Sequence, residues 1–237
     1  MSILPWRGRE VTRLEGFSDA VFGFALTLLV VSLEVPKTFA ELASTMRGFV
    51  AFAFCFAFVI WIWHEHYLFF RRYGLQDGLT VVLNAVLLFV VLFYVYPLKF
   101  LFTILVSELF HLGTGEKAIE ISQVPTLMTI YGAGFIVLFL VFAALYAHAA
   151  SRRTGLALTP QETLQARLWC GSHLLTAAVG LVSIALAATL KLRYIGWSGW
   201  SYALLGPLLG AYGAWAEKRR KALAAAEPEP RSDRAAD

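Results

Sequence analysis

The chain has 237 residues, 59% of them hydrophobic and only 15% charged, with a mean hydropathy of +0.66. Soluble domains carry roughly a quarter charged residues, so a large water-soluble domain is excluded. The formal net charge of +4 does not imply a nucleic-acid partner, because the basic residues sit at the ends of long apolar runs, where they anchor and orient a membrane protein.

A helix of roughly 20 apolar residues crosses a bilayer core, and six such runs follow one another. The first is expected at about 17–35, ending before Pro36. A charged leader (Arg7, Arg9, Glu10, Arg13, Glu15) and the lack of a small-residue cleavage site make it a retained span and not a signal peptide. The second, at about 48–70, is dense in Phe and Trp. A turn holding Arg71, Arg72, Gly74, Asp77 and Gly78 leads to the third, about 79–106, with Pro97 near its far end. A mildly acidic link (Glu108, Glu116, Glu120) precedes the fourth, about 125–150. Arg152 and Arg153 mark a polar loop before the fifth, about 164–190, and the sixth follows at about 194–216. Lys218-Arg219-Arg220-Lys221 then stops transfer. Residues 1–221 thus read as one six-span, all-α integral membrane unit, and 222–237, with Glu-Pro-Glu-Pro and alternating charges, as a disordered tail.

Alternate loops differ in Lys and Arg. Arg7, Arg9, Arg13, Arg71, Arg72, Arg152, Arg153 and 218–221 fall on one side, and Lys37, Lys117, Lys191 and Arg193 on the other. The first side is expected to be cytoplasmic, with both termini inside a multi-pass cell-membrane protein. Cys55 and Cys170 lie within apolar runs and read as packing residues. His64-Glu65-His66 does not make a metal site, since residues i and i+2 lie about 200° apart on a helix. His173 reads as a hydrogen-bonded packing residue, Lys99 as a snorkelling interface residue, and Trp197, Trp200 and Tyr202 as an aromatic belt. Nucleotide loops, nucleophile elbows and carboxylate pairs are not found, so neither enzymatic activity nor a cofactor is expected.

The first span carries the strongest motif. Arg13-x-x-x-Phe17-Ser18-Asp19 at its mouth, followed by Thr27-Leu28-Leu29-Val30, resembles the signature of the transmembrane protein 175 family of lysosomal and endosomal potassium channels, in its prokaryotic form with a single six-span unit. Trp61-x-x-His64, Asn84 and Pro97 are similar to that family's Trp/His pair, Asn and Pro. The resemblance implies a homotetramer in which the first helices line a central pore for potassium ions. It also implies an apolar constriction at Phe24, Leu28 and Val31 that serves as gate and filter. The Thr-Val-Gly-Tyr-Gly type of carbonyl filter is not found in the chain.

Positions 24, 28 and 31 share one helical stripe, and Gly16, Ala20, Gly23 and Thr27 make a neighbouring stripe of small residues suited to close helix approach. The same spacing would also suit a face turned to lipid or to neighbouring helices. Asp19 lies about 180° around the helix from Leu28. It is expected, with Ser18, to form an interhelical hydrogen-bond node with Trp61, His64 and Asn84, the alternative being an interfacial carboxylate wetted by water. Arg13 falls near the Leu28 stripe, so either it precedes the regular helix or it pairs with Glu10, Glu15 or another subunit. Glu34 would form an acidic ring at the outer pore mouth or a solvated helix end. The competing readings are a proton-conducting or proton-coupled pathway through Asp19 and His64, and a non-conducting scaffold.

Overall fold

The computed structural model describes residues 6–8, 10–31, 37–110 and 119–226, all of them helical or in short connections. The helices are α1 (Arg13–Val31), α2 (Phe39–Arg47), α3 (Phe49–Tyr73), α4 (Gly78–Phe110), α5 (Val124–Ser151), α6 (Pro160–Thr189), α7 (Gly196–Trp200) and α8 (Leu205–Ala226). Among the described residues, five segments are long and apolar enough to cross a membrane: α1, α3, the Gly78–Val95 part of α4, the 121–151 segment that contains α5, and α6. The chain is an all-helical, multi-pass membrane protein.

Helix starts are set by polar capping more than by hydropathy. Thr12 and Glu15 form reciprocal bonds, Glu15 N to Thr12 Oγ1 at 3.2 Å and Thr12 N to Glu15 Oε2 at 2.8 Å, which satisfies otherwise orphaned helix-end donors. α1 therefore begins at Arg13, four residues before the expected start, so Arg13 is its first residue and does not precede it. Thr159 and Glu162 cap α6 in the same way and start it at Pro160. Thr38 and Glu41 start α2, a short helix within the link between the first two spans. Gly74 ends α3 with φ +60, the left-handed conformation that glycine adopts without strain.

α1 packs on α4 and α3, α4 on α5, and α6 on α5 and α8; α5 and α6 form the most extensively packed pair. Gly132 and Gly180 allow that closeness, since a Cβ at either would meet Ile184 or Ile136 side-chain carbons within 2.8 Å. Tyr94 Oη donates to the Tyr131 carbonyl at 2.7 Å, and Tyr131 Oη donates to the Pro97 carbonyl. The two tyrosines thus clasp α4 to α5 beside the proline.

The expected sixth span is helical but broken. A 3-10 turn at 192–194, α7, another 3-10 turn at 201–204 and α8 follow one another, in a stretch rich in Gly and Ser with Pro207. The break is sealed from within: Ser183 Oγ of α6 donates to the Ser198 carbonyl at 2.8 Å, and Ser198 Oγ to the Ile195 carbonyl at 2.7 Å. Non-helical backbone survives at membrane depth when protein satisfies it. α8 runs through Lys218–Lys221 to Ala226, so 222–226 are helical where a disordered tail was expected; 227–237 lie outside the described residues.

One end of the bundle is tied by charge. The Arg7 guanidinium grips Glu162, with one contact at 2.9 Å, and Arg7 Nε donates to the Leu156 carbonyl at 3.1 Å. Gly8 N donates to the Arg71 carbonyl at 3.1 Å. At the α3–α4 turn, Asp77 accepts from the Thr80 hydroxyl at 2.7 Å and the Thr80 amide at 3.0 Å, and meets His148 Nε2 at 2.7 Å and Arg152 at 3.2 Å. The Thr80 hydroxyl above all, with the Thr80 amide and His148, holds the Asp77 carboxyl well below the usual carboxylate range. A carboxylate with a depressed folded pKa adds stability above its ordinary pKa and loses it progressively as pH falls from that value toward the folded pKa. Asp77→Ala is therefore expected to destabilise the protein by about 1 kcal/mol at neutral pH. In detergent melting curves that difference should narrow as pH drops below the ordinary carboxylate range.

Candidate functional site

The described face of α1 divides in two. Ser18, Phe22, Ala25 and Leu29 are buried against α3 and α4, together with Glu15. The opposite side stays open: Phe17 is 63% exposed, Phe24 66%, Leu28 55% and Val31 71%. Arg13, Gly16, Ala20, Gly23 and Thr27 are exposed beside them, and nothing approaches within 4 Å of where a Cβ would stand on Gly16 or Gly23. The expected apolar stripe and small-residue stripe thus lie side by side on a surface that none of the described elements covers. Thr27 Oγ1 donates to the Gly23 carbonyl at 2.9 Å, so its hydroxyl is turned back onto its own helix. Glu34 lies outside the described residues.

Behind α1 runs a directed chain of hydrogen bonds. His66 Nε2 of α3 meets Asn84 Oδ1 of α4 at 2.9 Å, Asn84 Nδ2 donates to Ser18 Oγ of α1 at 2.9 Å, and Ser18 Oγ donates to the Leu14 carbonyl at 2.8 Å. An amide oxygen can only accept, so the imidazole carries its proton on Nε2. Ser18, His66 and Asn84 are all buried, at 0%, 1% and 1% exposure. Phe22 and Phe70 flank the His66 ring, with centroids at 5.6 and 4.5 Å. Three helices are joined by this one line.

Asp19 sits at the edge of the site. Its Oδ1 accepts from Trp63 Nε1 at 2.8 Å in an exposed position. The expected partners of Asp19 need correction: Trp63 and His66, not Trp61 and His64, face α1. Trp61 and His64 lie two residues earlier, about 200° around the helix. There Trp61 packs on Phe139 at 5.4 Å and reaches the Glu65 carboxylate, and His64 is exposed beside Tyr67. Asn84 meets Ser18 and not Asp19. The sequence held a usable signal, because Trp63-x-x-His66 has the same spacing as Trp61-x-x-His64. His66 also continues the buried stripe Ala51, Cys55, Val59, Ile62.

This arrangement can fix the rotation of α1 and present a continuous apolar surface outward. It offers no metal site: among the described residues no three His, Cys, Asp or Glu side chains gather to hold an ion.

A family model described as the endosomal/lysosomal potassium channel TMEM175 matches residues 13–94, the segment that contains Ser18, Asp19, Trp63, His66 and Asn84. A potassium channel of Marivirga tractuosa is 38% identical over 229 residues, covering 92% of each chain. A potassium channel of Chamaesiphon minutus is 27% identical over 192 residues, covering 75% of this chain and 88% of its own. The crystal structure of a variant of the potassium channel MtTMEM175, bound to a nanobody–MBP fusion protein, superposes with a TM-score of 0.82 at 36% identity. It covers 92% of this chain and 98% of that one.

Removing the middle of the hydrogen-bond chain strands the buried His66 Nε2–H and takes a donor from Ser18, whereas removing Trp63 leaves Asp19 to water. Asn84→Ala is expected to cost about 2–4 kcal/mol and Trp63→Phe about 1 kcal/mol or less. Thermal unfolding of the purified variants gives the order.

Proposed function

Because this chain belongs to the TMEM175 family, a family of ion channels and not of enzymes, we propose that it is a potassium-selective, leak-type cation channel of the cell membrane. Four copies would place α1 around a common axis, with the Phe24, Leu28 and Val31 side chains forming an apolar constriction that is both gate and filter. Both termini would lie in the cytoplasm, and Glu34 would stand near the outer mouth.

The observation that carries this reading is the uncovered face of α1. Phe24, Leu28 and Val31 are each more than half exposed, although the same helix is anchored on its other side by buried hydrogen bonds. Small residues beside that face, Gly16, Ala20 and Gly23, suit close approach of identical helices, and a closed ring of copies turns the same face of every subunit toward its axis. A cation crossing such a ring meets no fixed carbonyl or carboxylate. It must keep part of its water shell, so widening or wetting of the ring governs passage. The bracing set Arg13, Phe17, Ser18, Asp19, Trp63, His66 and Asn84 would hold the constriction in register.

A proton pathway through Asp19 and His64 gains no support from the geometry, since those two side chains do not meet. Leu28→Asn puts a polar group in the ring. In liposome flux assays under potassium and sodium gradients, it is expected to raise leak and reduce the preference for potassium over sodium severalfold. An unchanged permeability ratio would overturn the assignment of Leu28 to the filter.

A further inference from the structure

Two ionisable side chains inside the spanning helices take no part in bracing α1. Glu65 stands one residue before His66 on α3, turned about 100° around the helix. It faces α6, where His173 Nε2 lies 3.8 Å from Glu65 Oε2. The side chains are only 12% and 5% exposed. That separation is close for opposite charges but beyond a hydrogen bond. Neither atom has a hydrogen-bond partner among the described residues.

The pair closes the inner end of an aromatic column. His173 is stacked on Phe142 and Tyr146, with ring centroids at 5.2 and 5.3 Å. Tyr146 stacks on Trp169 at 5.8 Å and meets Tyr73 edge-on at 5.8 Å, while the Arg72 guanidinium lies 5.5 Å over the Trp169 ring. The Tyr73 and Tyr146 hydroxyls, Trp169 Nε1 and Arg72 Nη1 are also buried without a hydrogen-bond partner. Six such atoms therefore line one path, running from the α3–α4 turn between α3, α5 and α6 down to Glu65 and His173.

An unpartnered buried polar atom is costly, and hydrocarbon offers no relief. Elsewhere this bundle satisfies such groups internally, as Ser183 does for Ser198. A concentration of donors and acceptors along one path is what buried water needs, since each molecule takes about three bonds. The groups facing Glu65 are His64, Arg72 and the Trp61 indole from α3, Tyr146 from α5 and His173 from α6; Tyr73 flanks Tyr146. Arg72 is permanently cationic, so an ionised Glu65 balances it while His173 is neutral. A proton taken up from water can then be shared between the carboxylate and the imidazole, which lie 3.8 Å apart.

We propose that Glu65 and His173 together form an internal proton-binding site, reached by water along the Arg72–Trp169–Tyr146 column and separate from the exposed face of α1. Uptake of one proton converts the 3.8 Å contact into a shared hydrogen bond between Oε2 and Nε2. The pair titrates as a unit, not as two residues.

Infrared difference spectroscopy on the full chain in liposomes, stepping the pH from neutral to acid, reads this directly. The wild type is expected to show one carboxyl/imidazole transition that is absent in Glu65→Gln, absent in His173→Gln and not further changed in the double variant, while His64→Gln retains it. Tyr146→Phe keeps both titrating groups and removes one hydroxyl from the column, so the transition should persist with a shifted midpoint. Survival of the transition in either single variant would overturn the proposal. So would an unshifted midpoint in Tyr146→Phe, which remains decisive if a charge-removing variant does not fold. The readout needs no ion conduction, so its failure is distinct from failure of the channel reading.

Discussion

The line of hydrogen bonds from His66 through Asn84 to Ser18 is the contact on which the placement of α1 depends. In hydrocarbon, helices gain little from hiding apolar surface from one another, because lipid tails are as apolar as leucine. What distinguishes one rotation of α1 from another is whether its polar atoms find partners. The net gain from each bond is about 1 kcal/mol, but stranding a buried amide or imidazole costs about two or three times that. Turning α1 by one residue would break the Asn84–Ser18 bond and bury a phenylalanine or an aspartate in its place. The outward aim of Phe24, Leu28 and Val31 follows from that penalty.

The same constraint explains the less regular parts of the chain. Pro97 stands inside α4 and the Gly/Ser-rich stretch interrupts the last span, and at each place a hydroxyl from a neighbouring helix bonds the backbone. Tyr131 serves the Pro97 carbonyl and Ser183 the Ser198 carbonyl. At the end where α3 meets α4 and α5 meets α6, the polar ties are ionic instead, through Arg7–Glu162 and Asp77 with His148 and Arg152. Rigid ionic ties at that end and tyrosine clasps within the spans make α3 to α6 a firm support for the more sparsely packed α1.

Hydropathy and charge made the spanning runs legible, because twenty apolar residues have few other uses. Their limits were less legible, for a physical reason. α1 and α6 begin at Thr12-x-x-Glu15 and Thr159-x-x-Glu162, where two side chains cap the helix ahead of any apolar residue, and an apolar count does not register them. The last span was averaged into one helix because Trp, Tyr and Leu mask the breaks at Gly196, Ser198 and Ser201. In the site, Ser18 and Asn84 could be read from the motif, but the α3 partners were displaced by two residues. Trp61-x-x-His64 and Trp63-x-x-His66 are equally spaced, and spacing fixes only relative position on a helix. His66, in contact with Phe22 of α1, lies on the stripe that carries the buried Ala51, Cys55, Val59 and Ile62.

The division of labour on α3 bears on what an apolar constriction needs. Between Ala20 and Val31 the only side chain on α1 able to hydrogen-bond is Thr27, and its hydroxyl is committed to the Gly23 carbonyl. A cation at the proposed ring would therefore have no protein ligand to replace lost water, and discrimination must come from how readily an ion sheds or deforms its hydration shell. Such a filter fails if a nearby charge enters it, since a single unit charge at about 4 Å is worth several kcal/mol at intermediate dielectric. Three ionisable groups of α1 and α3 are held away from it. Asp19 is fixed at the helix mouth by Trp63, His66 is turned into the α1–α4 contact, and Glu65 faces His173 on the far side of α3. The buried hydrogen-bond chain thus lies behind the first helix, and the stiffness it provides holds the apolar Phe24, Leu28 and Val31 outward.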